Sequence, residues 1–213
     1  MGRDSENLGG ALWDLGTRSG GEEGRKLLAE AVAAYRSALE IRTKADLPQG
    51  WAQTQNNLGA PLSDLGTRSG GEEGRKLLTD AFAAYRSALE VFTKADLPQD
   101  WAATQNNLGA TLSDLGTRSG GEEGRKLLTD AVAACRSALE VYTKADLPQD
   151  WATTQNNLGN ALEDLGRGLG VQCVQPMKGL AAEGSCENGR FRTVDTATSL
   201  PRKKLLRNFV AFL

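Results

Sequence analysis

Two polar side chains, an asparagine and an aspartate, recur along this chain at intervals of 50 residues. A carboxamide carries both a hydrogen-bond donor and an acceptor, so it can pair with the amide group of an extended peptide without reading its side chains. A parallel row of aspartates adds negative charge to the same region. These residue types offer hydrogen bonding and negative charge. The two rows are Asn7, Asn57, Asn107 and Asn157, and Asp14, Asp64, Asp114 and Asp164.

The sequence has few of the residues and motifs that support catalysis or metal binding. The chain has no histidine, which excludes imidazole general bases, Ser–His and Cys–His nucleophile pairs and the common zinc ligand sets. The adjacent Glu122 and Glu123 would point about 100° apart on a helix, whereas an acid–base pair faces across a cleft. The phrase GGEEGRKL lacks the spacing of a phosphate-binding loop. We expect a non-enzymatic protein with no catalytic residue, no metal site and no cofactor.

Charge and cysteine content narrow the class of protein further. The 25 Lys and Arg residues nearly balance the 27 Asp and Glu residues, which leaves a net charge of -2 and argues against a nucleic-acid partner. Three cysteines are too few for a disulfide framework and favour a reducing compartment. No stretch approaches the 18 or so apolar residues of a membrane span, and the N-terminal residues lack the apolar core of a signal peptide. These features predict a cytoplasmic location.

An internal repeat organises most of the chain. Residues 51–100 recur as residues 101–150 with five substitutions, and the same register extends to both sides. A fixed period of this size is typical of stacked arrays, in which neighbouring units complete each other's cores. The repeated unit has no histidine, so each copy repeats the same absence. The lack of histidine is therefore weaker evidence against an enzyme than independent absences at every position would be. The predicted array covers residues 1–166, as copies 1–50, 51–100 and 101–150 and a closing helix at 151–166.

Each unit has the apolar spacing of two helices. The first, helix A, is predicted over residues 97–115, from an acidic cap at Asp96 to a glycine stop at Gly116. The second, helix B, is predicted over residues 122–144 from an i, i+3, i+4, i+7 stripe. No segment alternates strictly between polar and apolar residues, so the units need no strands. An all-α array of antiparallel helical hairpins follows.

These residues resemble the tetratricopeptide repeats. Leu58-Gly59 is similar to that family's L-G pair in helix A, and Ala81-x3-Tyr85-x2-Ala88 to its small–aromatic–small pattern in helix B. The period of 50 exceeds the family's usual period of about 34, and the lengthened unit is closer to the repeats of kinesin light chain. The resemblance implies a right-handed superhelical solenoid whose A helices line a concave groove. In some members the asparagine before L-G forms a ladder that grips a peptide backbone.

A helical wheel relates the two polar rows to this groove. Asn107 and Asp114 lie about 20° apart, on a stripe beside the buried leucines. The groove should therefore be polar and acidic, and we expect it to bind a protein or peptide partner of basic charge. The alternative is that the repetition reflects recent duplication, in which case identical residues carry no information about use.

Several positions depart from the repeat or stand out within it. Pro61 interrupts helix A of the second copy, either as a kink that opens the groove or as a tolerated change. Trp13 replaces the serine of later copies, either as an exposed partner anchor or as a cover for the first repeat. Cys135 replaces Tyr85 and is interpreted as a small buried substitute. Trp51, Trp101 and Trp151 are expected in the core.

The C-terminal tail and the ends of the array suggest two further features. Residues 166–213 carry 8 basic and 3 acidic residues, so the 167–213 tail is basic, and it is predicted to be mostly disordered. A short C-terminal helix through Leu205, Leu206 and Phe209 would dock on the array or a membrane surface, or have no role. Residues 151–166 keep the interior apolar pattern, which favours a second function: structural self-assembly by head-to-tail stacking.

Overall fold

The computed structural model describes residues 2–168, 184–187 and 190–193 of the chain. Between residues 2 and 168 the chain is helical apart from short connections, so the all-α prediction for the repeats is confirmed. We call the odd-numbered helices A helices and the even-numbered ones B helices. They are α1 (Gly2–Arg18), α2 (Gly21–Ile41), α3 (Pro48–Arg68), α4 (Gly71–Ala88), α5 (Pro98–Ser119), α6 (Gly121–Leu139) and α7 (Pro148–Gly168).

The helices pack in chain order. Helices that follow one another in the chain contact each other, so the first three units are hairpins, and α7 adjoins the third. Each A helix also contacts the next A helix, as in the pairs α1 with α3, α3 with α5 and α5 with α7. Among the described helices, no B helix contacts another B helix. The A helices therefore form one continuous row, and the B helices lie apart from one another.

The apolar stripes of both helix types meet in a central core. Leu62 of α3, Leu78 and Tyr85 of α4 and Leu128 of α6 are buried. Each stabilises the fold by about 25 cal/mol per Å² of apolar area removed from water. Cys135 is buried, as expected of a small substitute for Tyr85. The core runs across the units, since residues of α2 to α7 belong to one cluster.

The glycine stop predicted at Gly116 is wrong, because α5 continues to Ser119. Gly116 is helical and lies where α5 and α6 approach closely: a Cβ there would be 2.7 Å from Leu128 Cγ and 2.9 Å from the Gly124 carbonyl oxygen. The chain turns instead at Gly120 and Gly121, whose φ angles of 65° and 57° favour glycine. Gly116 is needed for interhelical contact and does not terminate the helix.

The predicted limits of helix B and of the acidic cap also differ from the structure. Helix α6 ends at Leu139, five residues before the predicted end. The following turn is closed by Thr143, which donates to the Asp146 carboxylate at 2.6 Å and accepts from the Asp146 amide at 3.0 Å. In the preceding copy Asp96 makes the same pair of bonds with Thr93. Asp96 therefore stabilises this turn, and α5 begins at Pro98 without a side-chain cap.

Pro61 and the repeat tryptophans occupy defined environments. Pro61 is buried within α3, which is one helix from Pro48 to Arg68. Trp51, Trp101 and Trp151 are half-buried beside smaller apolar clusters and are less enclosed than the predicted core position. A lysine ammonium lies over each indole ring, at 5.3 Å for Lys44 and Trp51, which is a cation–π contact.

Two short strands lie in the tail, which the composition predicted to be mostly disordered. Strand β1 (Gly184–Glu187) pairs antiparallel with β2 (Arg190–Thr193), with Gly184 opposite Thr193. Each strand has four residues, too few for an alternating pattern to be recognised. The strands and the helices belong to separate units of the chain. The helix predicted around Leu205–Phe209 lies outside the described residues.

Candidate functional site

Three of the four predicted aspartates come together on neighbouring A helices. Asp64 of α3, Asp114 of α5 and Asp164 of α7 are half-buried. Burial raises the pKa of the Asp114 carboxyl above its ordinary value of 3.8; Arg118 opposes this effect, and the charges of Asp164 and Asp64 add to it. The carboxylates of Asp64 and Asp164 are therefore close enough to repel that of Asp114. The fourth, Asp14 of α1, is exposed.

Two of these aspartates accept a hydrogen bond from the preceding A helix. Trp13 of α1 donates its indole N–H to Asp64 Oδ2 at 2.6 Å, and Ser113 of α5 donates to Asp164 Oδ2 at 3.2 Å. The donor in each case immediately precedes the aspartate of its own copy. Trp13 is half-buried and its only side-chain N–H is bonded to Asp64, so the exposed-anchor interpretation does not describe its position. Each of these carboxylates keeps further acceptor capacity.

The predicted asparagines occupy two kinds of environment. Asn57 accepts from Gln53 Nε2 at 2.9 Å and donates to Glu6 Oε1 at 3.5 Å, which connects α3 with α1. Asn157 donates to Asn106 Oδ1 at 3.0 Å and so connects α7 with α5. Asn7 is exposed on α1, and Asn107 is half-buried on α5. The predicted asparagines therefore all lie on A helices, and the side-chain amides of two of them are hydrogen-bonded to other repeats.

In two of the three N-N pairs, the first asparagine joins neighbouring A helices, a role that the sequence did not predict. Asn56 accepts from the Thr104 hydroxyl at 3.1 Å, and Asn106 accepts from Asn157. Both bonds join adjacent A helices. The signal available in the sequence was the doublet itself, which places a second carboxamide about 100° around the helix from the predicted row.

A cavity of about 470 Å³ opens between the last two A helices. It contains three carboxylates and one guanidinium, so its lining is acidic. The predicted residues Asp114, Asn157 and Asp164 all contribute to it. The lining residues are Ala110, Ser113, Asp114, Asn157, Asn160, Glu163, Asp164 and Arg167.

This arrangement is suited to binding. Carboxylate oxygens and carboxamides side by side can accept hydrogen bonds from cationic groups and pair with amides. Burial raises the pKa of the Cys135 thiol to about 11, so this cysteine is an unreactive thiol at neutral pH. Within residues 4–167, no group of three or more Cys, Asp or Glu residues has the arrangement of a metal site. None of the helices that the structure describes is long and apolar enough to span a membrane.

Comparisons with known proteins do not assign the chain to a family. No family model matches the sequence, and no curated protein matches it. The features that bear on function are therefore the aspartates of the A helices and the cavity beside them.

Proposed function

We propose that the chain is a non-enzymatic, cytoplasmic scaffold that binds an extended, basic segment of a partner protein along the row of A helices. In this proposal the repeats form a right-handed solenoid similar to the tetratricopeptide repeats, with the A helices on its concave side. The asparagines hold the peptide backbone, and the aspartates attract lysine or arginine side chains.

The pattern of helix contacts supports a concave A-helix side. A helices contact each other in succession, whereas the described B helices do not. When the A helices of successive hairpins are closer to each other than the B helices are, the stack curves and the A helices lie on its concave side. Helical repeat proteins use such extended concave surfaces for binding.

The aspartate row is the observation that carries the proposal. Asp114 is held in a half-buried position where its ionised form is disfavoured, and Asp64 and Asp164 add to this effect. If these aspartates served folding alone, neutral polar side chains at the same positions would give a more stable protein, because they would not repel one another. A cationic ligand beside Asp114 would offset both the loss of hydration and the repulsion between carboxylates.

The number of possible contacts limits the expected affinity. Each asparagine rung contributes a net of about 0.5–1.5 kcal/mol, and ordering an extended peptide opposes the sum. Two of the four amides already bond to neighbouring copies. We therefore expect a dissociation constant in the micromolar range or weaker.

Replacing Asp114 with Asn should weaken the binding of a basic peptide and stabilise the free protein. A suitable probe is a fluorescein-labelled peptide of alternating lysine and alanine, measured by anisotropy, with a glutamate–alanine peptide as its negative counterpart. Asp114→Asn should weaken the lysine peptide several-fold. Because the folded-state pKa of Asp114 lies above 3.8, the stability gain should be complete above that pKa and disappear as pH falls toward 3.8.

The control for this experiment is Asp130→Asn, since Asp130 is an exposed residue of the B helix α6. It removes the same charge without touching the A helices. Equal losses of affinity from the two variants would contradict the proposal, because binding would then depend on net charge alone.

Removing two asparagine rungs together provides a second, independent measurement. The double variant Asn57→Ala, Asn107→Ala should weaken the same peptide several-fold, because two backbone-pairing carboxamides are lost. Circular dichroism and a urea titration monitor the fold. An unchanged affinity in a variant with an unchanged spectrum would rule out the asparagine ladder.

A further inference from the structure

The last A helix, α7, carries a face that is covered in the other units. On α3 a Cβ built at Gly59 would be 2.5 Å from Tyr85 Cζ, and on α5 one built at Gly109 would be 2.6 Å from Cys135 Sγ. These contacts are made by the B helix of the same hairpin. At the equivalent Gly159 of α7, no described atom lies within 4 Å.

The neighbours of Gly159 repeat this contrast. Leu62 and Leu112 are only 1% and 4% exposed, whereas the equivalent Leu162 is 37% exposed. Gly66 and Gly116 contact Leu78 and Leu128, whereas at Gly166 no described atom lies within 4 Å. We call Ala152, Gly159, Leu162 and Gly166 the acceptor face. The equivalent residues of α3 and α5 lie in the α3–α4 and α5–α6 interfaces.

The internal interfaces define what fits such a face. Each B helix presents a stripe with the spacing leucine, x2, alanine, x3, then tyrosine or cysteine, such as Leu78, Ala81 and Tyr85 of α4, all of them buried. The leucine packs at the second glycine of the A helix and the tyrosine or cysteine at the first, so the two helices run antiparallel. A partner for α7 needs a helix with this spacing on an exposed side.

Helix α1 presents that spacing to solvent. Leu8, Ala11 and Leu15 have the same separations as the B-helix stripe, and Leu8 and Leu15 are 55% and 54% exposed. The equivalent leucines of α5, Leu108 and Leu115, are buried against other helices. Among the described residues, nothing therefore covers the acceptor face on α7 or the leucine stripe on α1.

We infer that the acceptor face of α7 binds α1 of a second copy of this chain. Leu15 of the second copy lies against Gly159, and Leu8 lies against Gly166, with the two helices antiparallel. This is a heterologous contact, because two different surfaces meet, and it leaves one free α1 and one free α7 at the ends. Association therefore continues head to tail with rising concentration.

Sedimentation velocity on the full chain over a range of concentrations tests the inference. The wild type should show a mass that rises steadily with concentration. Leu15→Lys and Gly159→Lys should each abolish that rise, and both should keep the fold, because Leu15 is exposed and no described atom lies near Gly159. The matched control is Ile41→Lys, which changes an apolar residue that is 52% exposed at the end of α2 and should leave association unchanged.

Mixing the two blocked variants separates this interface from other modes of association. Leu15→Lys keeps an intact α7, and Gly159→Lys keeps an intact α1, so an equimolar mixture should form a dimer and stop there. A wild type that stays monomeric, a mixture that stays monomeric or an equal effect of Ile41→Lys would each overturn the inference. Peptide binding at Asp114 involves a different surface, so its outcome is independent of this one.

Discussion

Gly74→Ala should lower the free energy of unfolding by about 3 kcal/mol, although alanine is the better helix former. A Cβ at this position would lie 2.3 Å from the carbonyl oxygen of Ser69 and 2.8 Å from that of Gly66. Both atoms belong to the backbone, so no side-chain rotation relieves the clash. The added carbon would also be 2.5 Å from Arg118 Nη1, which joins this hairpin to the next. Relief requires α3 and α4 to separate, with loss of packing along their whole contact.

Urea unfolding followed by circular dichroism measures this effect, and Gly10→Ala is the matched control. Gly10 is also within a helix, but a Cβ there would meet only the Tyr35 hydroxyl at 3.6 Å, which is an ordinary contact. This variant should raise the free energy of unfolding by about 0.5–1 kcal/mol. If the two substitutions shifted stability in the same direction, helix propensity would outweigh the backbone clash.

The helical hairpins could be predicted from sequence because the signals are local. The period and the apolar stripes predicted helices in the right places and antiparallel pairing within each copy. The errors occurred where a local signal conflicted with a contact made elsewhere. Gly116 has the residue type of a helix stop, yet its lack of a side chain serves the crossing with Leu128. Asp96 has the residue type of a cap, yet Thr93 captures its carboxylate.

The proposed binding face could be predicted only in part, for a related reason. A helical wheel relates residues on one helix, so it identified Asp114 as a neighbour of the Asn107 stripe. It carries no information on pairs about one repeat apart, such as Trp13 with Asp64 or Asn157 with Asn106. These bonds connect one A helix to the next and decide which amides are already engaged. Predicting them would have required the 50-residue period together with the knowledge that successive A helices pack against each other.

Contacts between hairpins also depend on a pair of arginines near the ends of A helices. Arg68 donates from Nη1 to the carbonyl oxygens of Gly16 and Ser19, at 2.9 and 3.0 Å, and from Nη2 to that of Thr17 at 3.2 Å. Arg118 repeats this arrangement one copy later, with Ser69 and Thr67 as its acceptors. The acceptors include the last carbonyls of the preceding A helix, which have no partner within the helix and carry partial negative charge.

Arg68→Ala should therefore lower the free energy of unfolding by about 2 kcal/mol, since a charged donor and three hydrogen bonds are lost together. The damage should concentrate in the first hairpin, because stability in a stacked array depends on contacts between neighbouring units. Amide hydrogen exchange should accordingly become faster in α1 and α2 and change little in α6. Arg68→Lys should recover only part of the loss, because an ammonium group lacks the planar fork that reaches several carbonyls at once. Arg18→Ala is the control, since Arg18 has the equivalent position on α1 with an exposed side chain, and an equal loss from both variants would show that the interhelical bonds of Arg68 contribute nothing.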